Sequence, residues 1–173
     1  MRVSPLHPYV GARVEDVNLA EHLDAVTFRR IFDAFQEYSV LVFGDQRLTD
    51  AQQMAFTLRF GPLETTLKSI GQEKRLHDNM VDLSNVDPAH EGRLMDWSDR
   101  RMVYQSGNQL WHTDSSFKPV PAMASLLSGR EVPPEGGDTE YVSMRHAWTT
   151  LPADTQRRLD GRVVVHRDRK SVV

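Results

Sequence analysis

From Pro119 onward the chain is cut too often by proline and glycine to carry a long regular element. Pro119 and Pro121 close one stretch, Pro133-Pro134-Glu135-Gly136-Gly137 makes a tight turn with a glycine pair, and Pro152 and Gly161 bracket a third segment. Proline fixes φ and lacks a backbone donor, and glycine admits conformations other residues avoid, so each marks a boundary. What lies between is therefore short. Ala122 to Val132, interrupted at Ser128 and Gly129, reads as a strand, as do Asp138 to Val142 and Arg162 to His166. Met144 to Thr150 reads as a short helix. Pro152 to Leu159 reads as a helix with proline near its first position and Gly161 just past its end.

The first half is patterned differently. Met1 to Leu23 is extended and loop-rich, punctuated by Pro5, Pro8 and Gly11. Asp24 to Tyr38 carries Ile31, Phe32 and Phe35 at helical spacing, with Val26 and Phe28 near its start, so a helix with an aromatic core stripe is expected. Ser39 to Phe43 (SVLVF) is a short apolar run, expected as a buried strand. Thr49-Asp50-Ala51-Gln52 has the form of a capping box. The helix it opens shows Ala51, Met54, Ala55 and Leu58 on one face, and Gly61-Pro62 stops it. Thr65 to Asn79 is a polar loop long enough to be a lid, Met80 to Val86 reads as a strand and Asp87 to Arg101 as a charged loop. Met102 to Gln105 and Gln109 to Thr113, on either side of Gly107, look extended.

Two helices followed by short strands with Gly/Pro turns fit a β-sandwich or jelly-roll decorated by helices. The 173 residues fit one domain, with no linker or internal repeat to divide them. A chain of this length can bury roughly 70% of the surface its unfolded form exposes. The net charge of -3 gives no nucleic-acid footprint, and the basic runs Arg157-Arg158 and Arg167 to Lys170 read as solvated faces. There is no cysteine, which excludes disulfides, zinc–thiolate sites and cysteine nucleophiles. Neither a signal peptide nor a membrane span is visible, so a cytoplasmic protein without a membrane partner is the expectation.

One constellation carries chemistry. In Asn108-Gln-Leu-Trp-His112-Thr-Asp114-Ser115-Ser116-Phe117, His112 and Asp114 are two apart. In an extended segment they share a face, and an imidazole and a carboxylate so placed can take two adjacent positions on one metal ion. That is two thirds of a 2-His-1-carboxylate facial triad. The competing reading is a surface pair or a hydrogen-bonded strand end. Trp111 points to the opposite face and reads as packing. A Ser-His-Asp hydrolase using Ser115 or Ser116 is disfavoured, because residues so close in one segment cannot form the relay. His7, His22, His77, His90, His146 and His166 stand in no ligand spacing with His112.

Taken together, SVLVF, LTDAQQMAFTLRFGPLE, NQLWHTDSSF and PPEGGDTEYVSM resemble the taurine/2,4-dichlorophenoxyacetate dioxygenase family, from about Pro5 to His166 and in the family's order. NQLWHTDSSF and GGDTE look closest to the branch acting on phenoxyalkanoates. The resemblance implies a double-stranded β-helix, a mainly β jelly-roll with flanking helices, incomplete over these residues. It implies an iron(II)- and 2-oxoglutarate-dependent dioxygenase that hydroxylates a small acidic substrate, aryloxyalkanoate- or sulfonate-like, with release of succinate and CO2. His112 and Asp114 are then metal ligands and catalytic residues, and Thr139 of the GGDT block holds a 2-oxoglutarate carboxylate. Asn108 and Ser115 line the substrate pocket, and Lys68 is a candidate partner for a substrate carboxylate. A homo-oligomer is expected from family habit.

The family's second metal-binding histidine and the arginine for the distal 2-oxoglutarate carboxylate lie further along than Val173, and His166 is in the wrong context to substitute. These residues are thus expected to be the N-terminal part of such an enzyme. The competing expectation is a truncated, inactive member serving as a metal-binding or subunit-interaction module.

Overall fold

The computed structural model describes residues 1–64, 79–87 and 93–165. In chain order the elements are β1 (Arg2–Pro5), β2 (Ala12–Glu15), α1 (Ala25–Tyr38), β3 (Leu41–Phe43), α2 (Asp50–Thr57), α3 (Arg100–Gln105) running into a 3-10 turn (Ser106–Gln109), α4 (Met144–Thr150) and α5 (Ala153–Leu159). They fall into two compact units. One joins residues 1–60 to 126–165, and the other holds 61–125 among the described residues.

In the first unit β1 and β2 form an antiparallel hairpin, pairing Arg2 with Glu15 and Pro5 with Ala12. Gly11, at φ +85°, closes the loop, and its carbonyl accepts from the Leu6 amide at 2.9 Å. After α1 the chain returns as β3, parallel to β2, with Ala12 opposite Leu41 and Val14 opposite Phe43. The order β1-β2-β3 leaves β2 central, and its alternate residues Ala12 and Val14 are buried. The expected strand at Ser39–Phe43 is thus shorter and lies at an edge, with Val42 exposed.

Both early helices begin where the sequence puts them. Asp24 caps α1, its carboxylate accepting from the Thr27 amide and hydroxyl, each at 2.8 Å. Ser39 ends α1 in the left-handed region, its amide donating to Phe35 O. Arg145 of α4 donates to Gln36 O, Glu37 O and Ser39 Oγ at 2.6–3.0 Å. A cation there satisfies orphan carbonyls and complements the dipole of α1. The Thr49–Gln52 capping box on α2 is complete in both directions. Pro152 precedes α5 and Gly161, at φ +67°, follows it, as expected.

The core gathers Leu19, Ile31 and Phe56, flanked by Phe28, Leu41, Phe43, Phe60 and Leu126. Phe60 meets Phe28, Phe35 and Phe56 edge to face at 5.1–5.9 Å. The buried face of α2 differs from expectation: it presents Gln53 and Phe56 inward, while Ala51, Ala55 and Leu58 are exposed. Gln53 is tolerated there because its amide donates to Leu126 O at 3.3 Å and accepts from Arg130 at 3.4 Å.

Several expected strands do not form. Segments 122–132, 138–142 and 162–165 carry no ladder, and among the described residues helix outweighs strand. Apolar β-branched residues make a strand only where a neighbouring backbone supplies hydrogen bonds. Met80–Val86 contributes one antiparallel bridge, Val86 to Leu94. The stretch read as extended at Met102–Gln105 is helical, opened by the Val103 amide donating to Asp99 O. The lid expected at Thr65–Asn79 lies almost wholly outside the described residues, as does His166. No helix among the described residues is long and apolar enough to cross a membrane.

Ile31 is wholly buried, whereas Val26 of the same helix is 72% exposed. Ile31→Ala should cost about 3 kcal/mol in urea unfolding, and Val26→Ala less than about 0.5 kcal/mol. The Thr27 amide, and then its hydroxyl, hold the Asp24 carboxyl below its ordinary 3.8. The folded value is the lower one, so this stability is present above pH 3.8 and lost as pH falls through the depressed value. The difference in urea midpoint between wild type and Asp24→Ala should therefore shrink between neutral and acid pH.

Candidate metal centre

The chain around His112 and Asp114 belongs to the second unit. The turn at Ser106–Gln109 delivers it, and Leu110 N donates back to Gly107 O at 3.2 Å. Asn108 is exposed in that turn. Trp111 is 67% exposed and so does not pack as expected. After Asp114 the chain turns through Ser115, at φ +56°, and Lys118 N donates to Ser115 O at 2.9 Å.

The two candidate ligands converge. His112 Nε2 lies 3.3 Å from Asp114 Oδ1. His112 Nδ1 lies 2.7 Å from Leu110 O, and a carbonyl can only accept, so Nδ1 carries the proton. In the neutral imidazole Nε2 is then a lone pair facing a carboxylate oxygen. Two acceptors at that distance call for a cation between or beside them, either a proton on Nε2 or a metal ion. Ligand atoms each about 2.1 Å from an ion and at right angles stand about 3 Å apart. The observed separation therefore fits two neighbouring positions on one metal.

The far side of each ligand is engaged as well. Asp114 Oδ2 accepts from Ser125 Oγ at 2.7 Å. Glu64 accepts from Ser115 Oγ at 2.8 Å and pairs with Lys118 through its other oxygen. Such second contacts orient metal ligands in general. Sequence reading missed Ser125, Glu64 and Lys118, for nothing in their spacing from Asp114 marks them. No group of three His, Cys, Asp or Glu side chains gathers among the described residues, so the donor set there has two members.

The other expected site residues are placed as follows. Ser115 is half-buried and donates its proton to Glu64. Thr139 is exposed in the first unit, two residues beyond Gly137. Lys68 lies outside the described residues, as do His77, His90 and His166. His146 stacks on Tyr9 with ring centroids 3.5 Å apart, and His7 meets the same ring edge-on.

Gly136 and Gly137 both lie in the left-handed region, at φ +73° and +74°. Only at Gly137 would a Cβ be crowded, 3.2 Å from Pro133 Cγ. Gly136→Ala should therefore cost about 1 kcal/mol for the backbone alone. Gly137→Ala should cost more, and paired urea titrations would show the order.

The profile of the taurine catabolism dioxygenase TauD, TfdA family matches residues 2–173. The alpha-ketoglutarate-dependent 2,4-dichlorophenoxyacetate dioxygenase of Cupriavidus pinatubonensis is 42% identical over 160 residues, spanning 91% of this chain and 55% of that protein. The (S)-phenoxypropionate/alpha-ketoglutarate-dioxygenase of Sphingobium herbicidovorans is 37% identical over 158 residues, spanning 91% of this chain and 50% of that protein. Among solved structures, AAD-2 in complex with Mn(II) and N-oxalylglycine superposes with a TM-score of 0.80 at 37% identity, covering 92% of this chain and 53% of that one. The chain thus spans about half the length of the relatives it matches.

Proposed function

The chain belongs to the taurine catabolism dioxygenase TauD, TfdA family, and from that premise we propose that it is the N-terminal part of an iron(II)- and 2-oxoglutarate-dependent dioxygenase. The reaction is hydroxylation of a small acidic substrate, aryloxyalkanoate- or sulfonate-like. O2 and 2-oxoglutarate are consumed, and succinate and CO2 are released. The observation that carries the reading is the approach of His112 Nε2 to Asp114 Oδ1 at 3.3 Å, with Nδ1 and Oδ2 each held from behind. The relative bound to Mn(II) and N-oxalylglycine supports the pairing of metal and co-substrate. N-Oxalylglycine has the skeleton of 2-oxoglutarate with NH in place of one methylene.

Bound iron(II) would supply oxygen activation coupled to decarboxylation of 2-oxoglutarate. His112 and Asp114 would hold it, and it would leave room for 2-oxoglutarate and O2 to bind. The carboxylate contributes charge and the imidazole a neutral donor, so the site keeps net positive charge for the anionic co-substrate. Leu110 O fixes the imidazole tautomer that leaves Nε2 free to bind. Thr139 is assigned to a 2-oxoglutarate carboxylate, which a hydroxyl can reach as donor. Asn108, Ser115 and Lys68 are assigned to the substrate, Lys68 as the cation for its carboxylate. In an aryloxyalkanoate, hydroxylation beside the ether oxygen gives a hemiacetal that collapses to a phenol and an oxo-acid. The double-stranded β-helix belongs to this reading, and the superposition on AAD-2 supports it.

The second reading is an inactive member that binds metal or a subunit; the two-member donor set among the described residues favours it. Anaerobic addition of iron(II) and 2-oxoglutarate should give a weak visible charge-transfer band that disappears in His112→Ala. Succinate formed in step with substrate loss after oxygen is admitted identifies the enzyme. A band without succinate identifies the inactive module, and no band at all means that these residues carry only half of the site.

A further inference from the structure

We propose that Ser125 is a positioning residue for the metal site, fixing the rotation of the Asp114 carboxylate. This inference rests on the assignment of Asp114 as a ligand. A carboxylate bound through one oxygen must present that oxygen and keep the other away. Its terminal torsion is soft and nearly two-fold, so the backbone alone does not choose. Ser125 Oγ donates to Oδ2 at 2.7 Å, which leaves Oδ1 facing His112 Nε2.

The backbone on the far side of Asp114 is already constrained by separate contacts. Ser115 is held in the left-handed region, where a residue other than glycine rarely rests without support. Glu64 grips both ends of the turn, Ser115 through one oxygen and Lys118 through the other. With Asp114 Cα so anchored, side-chain rotation is the remaining freedom, and Ser125 restrains it. Hydrogen bonds to a carboxylate are among the stronger ones, though the 59% exposure of the Asp114 side chain tempers this one.

The serine also bears on how many oxygens the ligand presents. By occupying Oδ2 it discourages two-oxygen binding, which would take up a second metal position. Ser125 is exposed, so its removal should leave the fold intact.

The test is Mn(II) titration of the full chain, with free metal followed by electron paramagnetic resonance. Metal-free melting of each variant runs alongside. Ser125→Ala should weaken Mn(II) binding about tenfold, the lower end for loss of a ligand's hydrogen-bond partner, with the melting temperature unchanged. Ser125→Thr keeps the hydroxyl and should restore affinity, which a purely structural role for the serine would not require. Asp114→Ala should abolish the same binding. If Asp114→Ala abolishes binding while Ser125→Ala binds like wild type, the positioning role is overturned and the metal assignment stands. If Asp114→Ala binds like wild type, or wild type does not bind, the assignment fails and this inference with it.

Discussion

The first unit depends on a cluster of phenylalanine rings meeting edge to face. Phe60 sits at its centre, with Phe28 and Phe35 from α1 and Phe56 from α2, and Phe43 of β3 touches Phe56. Edge-to-face pairs are directional as well as apolar, so they set the angle between packed elements in a way aliphatic contacts do not. Arg59 covers the cluster with its guanidinium 4.3 Å from the Phe28 ring centroid. Ile31 and Leu19 are buried in the same core. The sheet needs this cluster, because three short strands cannot hold themselves together in water without a packed face.

The candidate metal centre depends on a different kind of constraint, the saturation of lone pairs. Leu110 O engages His112 Nδ1 and Ser125 Oγ engages Asp114 Oδ2, while Glu64 holds Ser115 and Lys118 on the far side of Asp114. The two facing acceptors are the part left unsatisfied. A proton on Nε2 or a metal ion satisfies both.

What could be read from the residues follows the range of the interactions. The apolar spacing of Ile31, Phe32 and Phe35 marked α1, and the Thr49–Gln52 box, acting over three residues, marked the start of α2. The His112-x-Asp114 pairing was legible for the same reason. The buried face of α2 was not, because Gln53 is made welcome by Leu126 and Arg130, more than seventy residues away. Segments 122–132, 138–142 and 162–165 have strand-like composition, but a strand requires a partner backbone that composition cannot supply. Ser125 and Glu64 escaped notice because only the fold brings them to Asp114.

The first unit is interrupted in sequence. Its α2 is tied to later chain through Gln53 to Leu126 O and through Asp50 to Arg130 at 2.6 Å, and α1 through Ser39 to Arg145. Residues 61–125 must therefore be synthesised before these ties can close. At roughly 5–20 residues per second on a ribosome, that is a delay of several seconds. During it the phenylalanine cluster can assemble from residues 1–60 alone, with the place of Leu126 still open to water or to other apolar surfaces. The nascent chain thus passes through a stage in which the core cluster lacks Leu126 and one edge of it is sticky, and the rate of translation helps set how long that stage lasts.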